Sequence, residues 1–147
     1  RGGLMGSPRT LTKKQVVDMI GRGQSLAEMD MRGIDLSGVA FVSADLRYAK
    51  LAEANLSRAT FRETDLTGAS LWHADCKDAV FDGANLEDAD LDLANVDGAT
   101  FREAKVKKAL SPNSCHATHL RTTSFLSGFH KSKTTMAEMS FHTHKIL

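Results

Sequence analysis

The chain has 147 residues, 41% of them apolar, and a formal charge of +1, which is room for one domain with a core of its own. No apolar run approaches the roughly 18 residues of a membrane span, no basic-then-apolar leader precedes a small-residue cleavage site, and two cysteines, Cys76 and Cys115, are too few for a disulfide framework. Composition therefore predicts a soluble protein that stays off membranes, with the cytoplasm as its expected location; a leader already removed would leave no trace.

The small net charge hides a division along the chain. Residues 1–25 carry five basic and one acidic side chain, residues 26–109 ten basic and sixteen acidic, and residues 110–147 four basic and one acidic. An acidic centre between basic ends argues against direct nucleic-acid binding, which needs basic residues gathered on the folded surface that meets the phosphates.

In chain order, residues 1–9 read as disordered or tag-derived, and residues 10–25 as an N-terminal cap. Thr12 and Gln15 have capping-box spacing, Val16, Val17, Met19 and Ile20 supply an apolar face, and Gly21 and Gly23 stop the helix. The expected helix spans residues 13–20. Large residues at Met29, Ile34 and Val39 suit a floor for it to pack on.

Residues 26–109 form the body. From Met31 to Val106 every fifth residue is apolar, sixteen positions in all, and the residue two before each is alanine in twelve cases, the others being Met29, Ile34, Val39 and Thr64. A period of five suits neither regular element. On an α-helix, successive fifth residues rotate by roughly 140° and smear around the cylinder, and on a straight strand they alternate between faces. The pattern closes only if the chain turns a corner once per pentapeptide. Every glycine of this region (Gly33, Gly38, Gly68, Gly83, Gly98) sits two residues after a central apolar position, where a corner needs a permissive backbone.

Phe41, Phe61, Phe81 and Phe101 recur every twenty residues, so four pentapeptides make one coil and the phenylalanines form one core stack. Four coils at the usual strand spacing give a tower about 19 Å tall. The recurring units, such as Ala44-Asp45-Leu46, Ala54-Asn55-Leu56, Ala84-Asn85-Leu86 and Ala89-Asp90-Leu91, resemble the pentapeptide-repeat family over residues 29–108. The resemblance implies an all-β solenoid, a right-handed quadrilateral parallel β-helix, here of about four coils with a short N-terminal capping helix and a possible C-terminal helix.

Beyond residue 109 the motif decays into a divergent cap or tail rich in Ser, Thr and His. Two readings of it stand: a helix over about 136–145, introduced by Thr135 and Glu138, or a degenerate coil, since Leu126, Met136, Phe141 and Ile146 keep the phase. This segment could also join two copies as a homodimer. Cys115-His116-x-x-His119 and His142-x-His144 carry metal-ligand residue types, but at a spacing too weak to predict a metal site, and no cofactor is expected.

Function should lie in the outward side chains. Asp75, Asp78, Asp82, Glu87, Asp88, Asp90, Asp92 and Asp97 stand against a single Lys77 as an acidic patch, and Tyr48 and Trp72 are outward aromatics fit to anchor a contact. Arg62, Asp82 and Arg102 fall in one outward column, which predicts a charge ladder between coils. Cys76 belongs to a core column and reads as an inert thiol. No phosphate-binding loop, nucleophile elbow or HExxH is present, so catalysis is not expected. The sequence points to a non-enzymatic interaction scaffold with a protein partner. What the family resemblance adds is an alternative, a DNA-mimicking inhibitor of DNA gyrase or another DNA-binding enzyme.

Overall fold

Helix α1, Lys13–Gly21, precedes a tower in which the chain passes the same station once every twenty residues. The computed structural model describes residues 10–107 and 109; the readings for residues 1–9 and for the C-terminal segment, including its helix, homodimer contact and metal-ligand residues, lie outside the described residues.

Four columns of parallel bridges define four faces. Asp30, Lys50, Ser70 and Asp90 run up the first face, and Asp35, Asn55, Asp75 and Asn95 up the second. The third carries Ala40, Thr60, Val80 and Thr100, and the fourth Asp45, Asp65, Asn85 and Lys105. Between columns the chain makes a tight turn. The central residue's carbonyl accepts the N–H three residues on, as in Ala49 N–H to Leu46 at 3.0 Å and Ala74 N–H to Leu71 at 3.0 Å. Two residues after each centre φ is positive, the signature of a type II turn.

The five backbone N–H groups of a pentapeptide can be accounted for one by one. The central N–H and the one two residues later donate to the coil above (Leu51 to Ser70 at 2.8 Å, Glu53 to Trp72 at 2.8 Å), the third closes the turn, and the fourth donates to the coil below (Asn55 to Ile34 at 2.9 Å). Only the N–H just after the centre lacks a ladder partner. The Asp or Asn side chain just before the centre accepts it: Asp35 from Ser37 at 2.9 Å, Asn55 from Ser57 at 3.1 Å, Asp65 from Thr67 at 3.0 Å, Asn85 from Glu87 at 3.0 Å. The recurring Asp/Asn is therefore a backbone cap, because a polar group left unpaired beside the ladder costs free energy.

The lumen is hydrocarbon. Central residues are buried throughout, and so are the alanines two before them except Ala44, which is partly buried against the same core. The four phenylalanines lie parallel with ring centroids 4.8–5.0 Å apart, close to the spacing of the coils. Thr64 occupies an alanine position and is fully buried, its hydroxyl donating to the Phe41 carbonyl at 2.5 Å. The register also starts one unit earlier than Met31: Leu26 is fully buried and its N–H donates to the Asp45 carbonyl at 2.9 Å. Its partner two residues earlier is Gln24 rather than alanine, which hides that unit in the sequence.

Helix α1 has the expected capping box, with the Gln15 N–H donating to the Thr12 hydroxyl and the Thr12 N–H to Gln15 Oε1. It ends in a Schellman motif: the N–H of Gly23 (φ +66°) donates to Ile20 and that of Gln24 to Met19. Gly21 is thus the last helical residue and Gly23 the stop. Val16 joins the buried core, and Lys13 Nζ donates to the Ser37 carbonyl at 2.6 Å.

Candidate functional site

The twenty-residue register places each outward side chain. Asp90 and Asp92 flank Leu91 in the highest described coil of the first face, with Trp72 one coil below Asp92 and Ala52 below that. Asp75, Asp78 and Asp97 stand on the second face around Lys77. Glu87 and Asp88 lie on the fourth face, at the corner leading into the first. Asp82 stands alone on the third, between Arg62 and Arg102. The eight carboxylates therefore form a band around the upper coils rather than one patch, and Asp82 is separated from the rest.

Several members of the band have a structural task. Asp75 accepts the Lys77 N–H at 3.1 Å and Asp90 the Asp92 N–H at 2.9 Å, the same cap as elsewhere in the repeat. Asp82 accepts the backbone N–H of Arg102 at 3.0 Å. This corrects the predicted Arg62–Asp82–Arg102 charge ladder. Thr100 stands where the Asp/Asn cap of Arg102 would be, so the carboxylate from the coil below serves the backbone instead of a guanidinium. Two ion pairs, Arg32–Asp30 and Arg47–Asp45, each form within one pentapeptide.

Those two pairs are bidentate. Arg32 donates from Nε and Nη2 to Asp30 at 2.8 and 2.6 Å, and Arg47 to Asp45 at 2.8 and 3.0 Å. The guanidinium holds the Asp30 carboxyl down to about 2 and drives that of Asp45 below the ordinary carboxylate range. Asp92 is shifted the other way: burial, then the neighbouring Asp90, raises it. Burial also pushes the Cys76 thiol up, out of reach of thiolate chemistry at neutral pH.

The outward aromatics are exposed, Tyr48 at 59% and Trp72 at 40%. Tyr48 sits at the corner between the fourth and first faces, where a Cβ on Gly68 in the next coil would strike its ring. Gly68 thus makes room for Tyr48 to lie along the tower. Trp72 meets the His73 ring at 5.3 Å. Among the described residues no three His, Cys, Asp or Glu side chains gather as metal ligands, and no helix is long and apolar enough to cross a membrane.

A family model described as pentapeptide repeats matches in eight copies, over residues 41–71, 59–98 and 70–107. A solved pentapeptide repeat protein from Nostoc PCC 7120 is 34% identical, with 67% of this chain and 82% of that one covered at a TM-score of 0.56. The chain belongs to the pentapeptide-repeat family. Two further solved pentapeptide-repeat proteins are similar to it. One, from the Arabidopsis thaliana thylakoid lumen, is 35% identical over 52% of this chain and 53% of its own, at a TM-score of 0.52. The other, HetL of Nostoc sp. strain PCC 7120, involved in heterocyst differentiation regulation, is 34% identical over 62% and 42%, at a TM-score of 0.60. This pentapeptide-repeat chain spans about half the length of the first relatives it matches. No curated protein matches its sequence. With these neighbours the tower is a right-handed β-helix.

Proposed function

We propose that this pentapeptide-repeat protein is a non-enzymatic scaffold of about four coils, closed below by α1, whose outward side chains engage a protein partner. The observation that carries this reading is the pair of large aromatics held outside a tower that buries its other aromatic repeat residues completely: Tyr48 and Trp72 are exposed while Phe41, Phe61, Phe81 and Phe101 are at 0%. A rigid flat face with aromatic anchors loses little side-chain entropy on binding. Placing a photo-crosslinking residue on each face in turn, at Trp72, Lys77, Arg62 and Thr67, tests it in cells of the source organism. Discrete protein adducts from one or two faces are expected; no adduct from any face overturns the reading.

The second reading, mimicry of a nucleic-acid backbone towards gyrase or a similar enzyme, draws on the carboxylate band. Its eight members are spread over four faces instead of lining one row, which is why the scaffold reading comes first. A supercoiling assay separates the two. Inhibition at micromolar protein that is lost when Asp88, Asp90 and Asp92 become asparagine would favour mimicry.

A further inference from the structure

The first face combines the exposed aromatics with a change of charge along its height. At its foot Asp30, which caps the Arg32 N–H, closes on the Arg32 guanidinium through two contacts. Asp45 on the fourth face does the same with Arg47. The scaffold thus presents a guanidinium receptor twice: a carboxylate fixed by one backbone N–H and turned outward, with arginine two residues on. In the highest described coil of the first face the carboxylate is fixed in the same way, Asp90 accepting the Asp92 N–H at 2.9 Å. The position that holds arginine below is itself an aspartate there. Directly beneath it Trp72 exposes an indole, flanked by the small residues Ser70 and Ala52, with Tyr48 across the face at the corner.

We infer that this face, from Tyr48 and Trp72 up to Asp90 and Asp92, docks a partner protein through an arginine side chain that stacks on Trp72 and pairs with the two aspartates. The inference rests on the scaffold reading and names its surface and partner chemistry. Charge complementarity selects the occupant: two carboxylates side by side repel an acidic or purely apolar surface. A guanidinium satisfies both carboxylates and the aromatic plane at once, which an ammonium does less well. Burial of Asp92 and its neighbour Asp90 already disfavours the ionised state there, so a cation relieves a cost that the free face carries.

Trp72 is the sole tryptophan, so its fluorescence reports on this face alone. The full chain is titrated with an oligo-arginine peptide and with oligo-lysine and oligo-citrulline peptides of equal length. Asp90→Asn and Asp92→Asn serve as variants; Asn55, Asn85 and Asn95 show that asparagine keeps the cap at the position of Asp90. The expected result is a saturable change in Trp72 emission, with the arginine peptide binding roughly tenfold more tightly than the lysine one, no response to citrulline, and roughly tenfold weakening in each variant. No emission change with arginine, or a response equal for lysine and untouched by both variants, overturns the inference. Crosslinks from another face with a silent Trp72 would remove this inference and leave the scaffold reading standing.

Discussion

Glu53, at φ +60°, occupies the same corner position as Gly33, Gly68 or Gly98, and ten other non-glycine residues share that left-handed backbone. Each such residue carries a steric cost of about 1–2 kcal/mol. Glu53→Gly should therefore raise stability, by about 0.5–1 kcal/mol after the extra freedom of glycine in the unfolded chain is subtracted; the urea midpoint measures it. Gly68→Ala has the opposite sign, because it adds the same backbone cost and drives a methyl into the Tyr48 ring. The glycines announce this corner in the sequence, whereas a glutamate or an arginine there does not. The capping aspartates were hidden for a related reason. A surface carboxylate reads as charge, and its bond to the N–H two residues on becomes visible only with the backbone in place. Asn55→Ala removes one such cap and should cost about 1 kcal/mol, with Asn55→Asp nearly neutral, in the same unfolding measurement.

Among the elements, the phenylalanine column was the most legible, since a twenty-residue recurrence of one bulky residue has no other simple geometric meaning. The four rings touch one another in sequence. Phe81→Ala leaves a cavity between two neighbours and should cost about 3–5 kcal/mol by chemical denaturation. The alanine column was equally readable, but Leu26 was not, because the unit it opens has Gln24 in place of the small residue. Helix α1 was legible from its capping box, and Thr12→Ala should weaken it by about 1 kcal/mol. The Asp–Arg pairs at the foot of the tower set the acid limit. Asp30 has its carboxyl lowered from 3.8 to about 2, and Asp45 is lowered also. Their stabilisation is complete above the unfolded value of 3.8 and is lost as pH falls towards 2. Asp30→Asn should flatten this acid loss, as followed by circular dichroism. Asp92 is raised, so its ionisation opposes folding at neutral pH; Asp92→Asn should stabilise there, with the gain vanishing below the ordinary aspartate range.

For the molecule as a whole, the outward faces were only half legible. Which side chains point out follows from the period, but which of them meet depends on the coil length and on which carboxylates the backbone claims. The acidic residues that look contiguous in the sequence are distributed over four faces, and Tyr48 and Trp72, twenty-four residues apart in sequence, are brought to one side by the register. Each pentapeptide turns the chain by a quarter of a circuit and repeats the same backbone bonds. Adding or deleting one such unit would leave the hydrocarbon lumen filled and the caps intact while swinging everything above it through a right angle. A lineage could thereby reshuffle its binding panels by a single five-codon slip. The aligned ring pile would record the event, because a leucine would then sit where a phenylalanine is due.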